Sequence, residues 1–281
     1  MSPLRQRMIE QMKLENKSQK TIESYVFTVA FLAQHYNKCP SKITNDELRS
    51  FLLWQINNMS ASTVNQRCYA LKYFYRQVLV KEMPCLEQFK PQGGKLKLRT
   101  VLETSEVKAL LNAVRLDRHR LIFTIMYCCG LRISEAVNLK VQHIDFARLQ
   151  VFVFEGKGQK DRIVPLPKTL AGLLMKYFEI KPKSEWAFPS QKGQKAMRAD
   201  TLQRCFQLVV KEIGLLKDVK PHSLRHSIAT HLLERGMSLL YVRNFLGHKN
   251  IVTTMVYLHL TKEGIQDAIQ TQENLCRALY E

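Results

Sequence analysis

Apolar side chains recur at three- and four-residue spacing through the first third of the chain. Between Thr21 and Tyr36, the residues Ile22, Tyr25, Val26, Val29, Leu32 and Ala33 fall on one face of a helix. Thr44-Asn-Asp-Glu47 has the spacing of a capping box, which predicts a second helix through Leu48–Ile56. Val64, Cys68, Leu71, Phe74 and Val78 predict a third, from about Ser62 to Lys81. No strand-like alternation interrupts this stretch, and four short helices are its expected content.

The pattern breaks between Phe89 and Thr100. Pro91, Gly93 and Gly94 stand there with Lys90, Lys95, Lys97 and Arg99, and no acid. We therefore expect a helical domain over 1–89, a basic linker over 90–100 and a second domain over 101–281. Fully extended, the linker reaches roughly 36 Å, or about three major-groove widths. It has the length to place two domains on opposite sides of one duplex, although a solvated tether has the same composition.

Beyond Thr100 the pattern is mixed. Thr104 is expected to cap a helix over Ser105–Val114, and a buried helix from about Arg118 to Cys129 should stop at Gly130. Leu149–Phe154 and Asp161–Leu166 are rich in strand formers and bracket Glu155-Gly-Lys-Gly-Gln-Lys160, which predicts a hairpin. Helices are expected near Lys168–Phe178, Ala199–Ile213, His222–Glu234, Ser238–Phe245 and Val252–His259, with a last one over about Glu263–Tyr280. The fold class is α-dominated α+β, a helical N-terminal domain followed by a mixed domain with a small antiparallel sheet.

Charge narrows the partner. At 46% hydrophobic and 24% charged residues the composition is that of a globular chain, but 43 Lys+Arg against 24 Asp+Glu leave +19. Such an excess points to a polyanion, nucleic acid or an anionic membrane. The longest apolar runs, Tyr25–Ala33 and Leu121–Leu131, fall well short of the roughly 20 residues that span a bilayer. The first residues lead into mixed charge rather than an apolar signal core. Seven cysteines without a C-x-x-C pair suggest reduced, buried thiols in a cytoplasmic protein.

Metal and nucleotide sites find little support. His222 and His226 lie one helical turn apart, but Ser223 stands where a zinc-binding H-E-x-x-H motif needs Glu. Gly156-Lys-Gly158 lacks the frame of a phosphate-binding loop. No metal and no cofactor are expected. The remaining candidates are cations in short structured contexts: Arg132 after a helix end, Lys157 at a hairpin tip, His222 and Arg225 on one helix face, and His248 after Leu246-Gly247. Converging, they would clamp a phosphate. A tyrosine set against such a clamp, Tyr257, is a candidate nucleophile towards phosphorus.

In order and spacing, Gly130-Leu-Arg132-Ile-Ser-Glu135, Gly156-Lys-Gly158-Gln-Lys-Asp-Arg162, His222-Ser-Leu-Arg225-His226, Leu246-Gly-His248 and Thr253-Thr-Met-Val-Tyr257 resemble the tyrosine recombinase (phage integrase) family. The likeness covers nearly the whole chain, with Ser18–Tyr36 and Ser62–Phe74 similar to the family's SAM-like core-binding domain. Length and motif wording look closest to Xer-like and transposon-associated integrases. Lys181–Asp200 is too short for the extra helix of integron integrases. Leu258 departs from the Thr that often follows the nucleophile in relatives.

The resemblance implies a site-specific recombinase that cuts and rejoins DNA through a 3′-phosphotyrosyl intermediate, with neither metal nor ATP. Tyr257 would be the nucleophile, Arg132 and Arg225 the holders of the nonbridging oxygens, and Lys157 the acid for the leaving hydroxyl. His222 would be the base and His248 a hydrogen-bond donor to the phosphate. Glu135 would support the clamp from behind, and His226 would pack or cap. Lys160, a rival for the acid role, would touch DNA together with Lys90, Lys95, Lys97 and Arg99. Double-stranded DNA with paired half-sites is the implied partner, bound by a dimer and synapsed by a tetramer through the helix over 263–280, in the cytoplasm and on the nucleoid. A type IB topoisomerase-like enzyme and a non-catalytic DNA-binding protein on the same fold are the alternatives.

Overall fold

Serine and threonine hydroxyls start the helices of the N-terminal region. Ser2 accepts from the backbone N–H of Arg5 at the head of α1 (Pro3–Leu14), where Pro3 takes the first helical position. Ser18 does the same for α2 (Gln19–Tyr36) and Ser60 for α4 (Ala61–Tyr73). The box predicted for α3 (Asn45–Asn58) is present: Glu47 N–H reaches Thr44 Oγ1 at 3.2 Å, and Thr44 N–H reaches the Glu47 carboxylate at 2.8 Å. The fourth expected helix is α1. A short α5 (Pro84–Glu87) follows.

The third helix does not run on to Lys81. From Phe74 to Val78 the chain makes a π-helical turn, closed by Leu79 N–H to Phe74 O at 3.1 Å, and Val80 then takes φ +51°. The wider turn carries Phe74, Tyr75 and Val78 inward together, where a regular helix turns adjacent side chains about 100° apart. They join Met8, Met12, Leu32, Phe51 and Leu71 in one apolar core. The Asn65 side chain holds Gln92 by both its backbone N–H (2.7 Å) and its carbonyl (2.9 Å).

This computed structural model describes residues 2–93, 100–154, 161–181, 183–190, 193 and 195–257. The chain forms two compact units, Met1–Lys97 and Leu98–Glu281.

In the second unit Glu103, rather than Thr104, caps α6 (Thr104–Ala113), because Glu106 on its first turn reaches back to the Glu103 N–H at 2.7 Å. The buried helix α7 (Asp117–Cys128) stops at Gly130 with φ +59°, and α8 (Ile133–Val137) follows. The hairpin is β2 (Gln150–Val153) and β3 (Arg162–Pro165), with Val151 opposite Val164. It gains a neighbour that no sequence pattern announces, β1 (Ile144–Asp145), two residues being too few to alternate. α9 (Lys168–Ile180), α10 (Ala199–Glu212), α11 (Pro221–Glu234) and α12 (Leu239–Leu246) come next. α7, α10, α11 and α12 supply Ile122, Phe123, Phe206, Leu224 and Phe245 to the second core.

α13 (Val252–Met255) is shorter than predicted, so Tyr257 lies in the turn after it, with its N–H on Thr254 O at 3.0 Å. The turn over 155–160 and the tail helix over 263–280 lie outside the described residues. The described cysteines are all thiols, but Cys39 is exposed, contrary to the expectation of burial. Among the described residues no helix is long and apolar enough to cross a membrane.

Candidate active site

The site grows from two helix ends. Gly130 ends α7 in the left-handed region, and a Cβ there would meet Phe245 at 2.6 Å, so the position needs glycine for both conformation and space. Two residues on, Arg132 caps α8 from outside, and the Glu135 carboxylate accepts from its backbone N–H at 2.8 Å and from its Nη1 at 2.5 Å. Gly247 ends α12 in the same way at φ +68°.

Between these ends lies Arg225, from the first half of α11 and only 1% exposed. Its Nη1 donates to the carbonyl of Gly130, just past the end of α7, and its Nη2 to that of Leu246, the last residue of α12. Those carbonyl ends are electronegative and suit a buried cation. Glu135 is 3.7 Å away. Burial first, and then the Arg132 charge, pushes the Arg225 guanidinium down to about 9. It stays charged at neutral pH but in a setting short of anions, which an entering phosphate would relieve.

Tyr257 is fully buried. Its hydroxyl is 2.7 Å from Nδ1 of His226. The ring lies nearly parallel to that of His248, with centroids 6.3 Å apart, and His248 Nδ1 is 2.9 Å from Thr254 Oγ1. His222 is exposed one turn before His226 on α11, its ring edge-on to the latter at 4.7 Å. Three imidazole rings thus gather about the phenol, and a separate cavity of about 280 Å³ opens beside Arg132, Glu135 and His143. Such a set can bind an oxyanion and pass a phenol proton to an imidazole. Among the described residues no group of three or more metal-ligating side chains stands together.

The phage integrase family model matches residues 100–264, and that of the phage integrase N-terminal SAM-like domain matches 4–84. The chain belongs to the phage integrase, or tyrosine recombinase, family. A putative integrase/recombinase of Sinorhizobium fredii is 35% identical over 267 residues, covering 94% of this chain and 87% of its own. The crystal structure of XerA recombinase superposes with a TM-score of 0.56 at 27% identity, covering 96% of this chain and 98% of the other. The Tn1549 transposon integrase, solved with transposon right end DNA, shares the fold with a TM-score of 0.73 at 19% identity, covering 96% and 99%. The family membership makes the protein an enzyme, a tyrosine recombinase.

Of the residues expected at the site, the structure brings together Arg132, Glu135, Arg225, His226 and Tyr257, with His222 and His248 ring against ring around them. Lys157 and Lys160 lie outside the described residues, as do Lys95, Lys97 and Arg99; Lys90 is exposed at the end of the first unit. His226 does more than the resemblance implies. It packs as expected, against the rings of His222 and Tyr257, and in addition contacts the Tyr257 hydroxyl, because four residues along α11 keep it on the face of His222 but one turn deeper. Arg162 closes the Gly156–Arg162 motif, to which the resemblance attaches no role at this position, yet it is buried and bound to Glu135. The signal was available: period-two alternation puts Arg162 on the face of Val164 and Leu166, which both point inward.

Proposed function

We propose that the protein recombines DNA at specific sites by a transient covalent bond between Tyr257 and the 3′ phosphate of the cut strand. The observation that carries this is the 2.7 Å contact of the Tyr257 hydroxyl with His226, the residue after the buried Arg225 on α11. Tyrosine ordinarily ionises near pH 10, so attack on phosphorus needs a base at the phenol and cations at the phosphate. His226 takes the proton in this reading, and His222, ring to ring with it, relays it or contacts the phosphate. Arg132 and Arg225 take the nonbridging oxygens, His248 donates to the same phosphate, and Lys157 protonates the leaving 5′ hydroxyl. Glu135 holds the arginines.

The phosphotyrosyl ester keeps the energy of the broken phosphodiester, so rejoining needs neither ATP nor metal. The likeness to integrases solved with DNA supports duplex DNA as partner, with the SAM-like unit, the basic linker over 90–100 and Lys160 giving sequence-independent grip. Two copies per site, and four in the synapse through the tail over 263–280, complete the proposal.

The test is a denaturing gel of protein with a labelled pool of nicked duplexes in EDTA. Wild type should give a DNA-linked band, and Tyr257→Phe should reduce it to background while retaining DNA affinity. A band that persists in Tyr257→Phe, or that needs divalent metal in the wild type, overturns the mechanism.

A further inference from the structure

Arg162 opens β3 with its side chain turned into the unit, 6% exposed. All three of its guanidinium nitrogens are engaged. Nη1 and Nη2 fork onto the two carboxylate oxygens of Glu135, at 3.1 and 2.8 Å, and Nε donates to the carbonyl of Phe245 at 3.1 Å. A planar fork matched to a carboxylate fixes distance and angle together, which a lysine cannot do. Three elements are thereby tied at one group: β3, the first turn of α8 and the last turn of α12.

Each tie leads to the chemistry. The same Glu135 oxygens hold the backbone N–H and Nη1 of Arg132, so the fork sets the carboxylate that sets Arg132. Phe245 precedes Leu246, whose carbonyl holds Arg225. Next comes Gly247, where a Cβ would meet Arg162 Cδ at 2.8 Å. Arg162 therefore packs against the turn that delivers His248. It carries a buried charge whose hydrogen bonds run to Glu135 and to the Phe245 carbonyl. An apolar side chain of similar volume would fill the space with less desolvation cost. The charge needs another reason.

The geometry points to Arg162 as a positioning residue for strand cleavage, one that aligns Arg132, Arg225 and His248 through Glu135 and the end of α12. This rests on the recombination reading above. Replacing Arg162 should leave the nucleophile and its base in place and misplace the phosphate clamp. The defect should thus appear in the rate at saturating DNA rather than in DNA affinity.

The substrate is the nicked duplex that wild type selects from the pool, made also with an uncharged methylphosphonate at the scissile position. Arg162→Lys and Arg162→Met are compared with wild type, Arg225→Ala and Tyr257→Phe. We expect both Arg162 variants to bind DNA as wild type does, and Arg162→Lys to slow cleavage by roughly 10- to 100-fold, the range for groups that orient a reactive ligand set. Most of that deficit should vanish on the methylphosphonate, as for Arg225→Ala, since the substrate then presents less charge to be neutralised. Wild-type rates in both variants overturn the positioning role alone. So does a deficit that the methylphosphonate leaves untouched while it restores Arg225→Ala, and so does unfolding of both variants, for Arg162 would then serve stability. A wild type without a Tyr257-dependent adduct overturns the recombination reading itself, and this role with it.

Discussion

In the N-terminal unit, α2, α3 and α4 meet almost entirely through carbon, with Thr28 and Gln55 the buried polar residues, whereas in the C-terminal unit α8, β3 and α11 meet through charge. Thr28 turns its hydroxyl back onto the Ser24 carbonyl, and both side-chain polar atoms of Gln55 lack a hydrogen-bond partner. At the site, by contrast, one carboxylate serves three guanidiniums, and those guanidiniums also reach three backbone carbonyls. An interior that only holds a fold tolerates an occasional orphan. An interior that must hold charge ready for a phosphate satisfies its groups densely, because each lapse there exposes an ion rather than an amide.

The strongest way to break this comparison is to take away the carboxylate. Glu135→Gln keeps the shape but leaves Arg132, Arg162 and Arg225 without their shared anion. Stripping one partner from a buried ionic cluster costs about 3–5 kcal/mol, so denaturant unfolding of the full chain should show a loss of that size. A loss below about 1 kcal/mol, in the range of an exposed ion pair, would mean that the helix-end carbonyls alone hold the cations, and the contrast between the two interiors would fail.

The same contrast explains what the sequence discloses. Carbon cores follow helical period, so the α2 face and the Thr44–Glu47 box are readable residue by residue. The π turn at Phe74 is not, since it answers to how Tyr75 and Val78 pack. Arg132, Arg225, His248 and Tyr257 come from four separate segments, and no local periodicity states that they meet. Their order and spacing announce them only as a set. The role of Arg162 and the hydroxyl contact of His226 are not legible because each residue reads locally as ordinary, a cation at a strand end and a second histidine on a helix. Their partners, Glu135 and Tyr257, lie 27 and 31 residues away.

A smaller effect sharpens the other half of the comparison. If Gln55 only occupies space, Gln55→Met should remove two unsatisfied polar atoms and keep the volume. The gain should be about 1–2 kcal/mol, within the penalty of a buried unpaired amide, and thermal unfolding would register it as a higher Tm. A lower Tm would show that the amide is satisfied in solution, by water for instance, and that the first unit obeys the same rule as the site.

The smallest effect concerns a histidine that, among the described residues of the second unit, breaks that unit's own rule. His119, near the start of α7, is 5% exposed, and neither ring nitrogen has a hydrogen-bond partner. Burial, and then the Arg118 charge, holds it below the ordinary histidine value near 6.5. Between the lowered folded value and 6.5 the unfolded chain binds a proton that the folded chain refuses. Stability due to this group is therefore complete above about 6.5 and is lost as the pH falls towards the folded value, levelling off below it. One proton gives a slope no steeper than about 1.4 kcal/mol per pH unit. His119→Phe keeps a flat ring and cannot titrate, so its stability, followed by denaturant unfolding from pH 7 down to 5, should fall less steeply than that of the wild type. Equal slopes would mean that the ring finds a partner as it charges, and that the described part of the second unit has no unsatisfied polar group to set against Gln55.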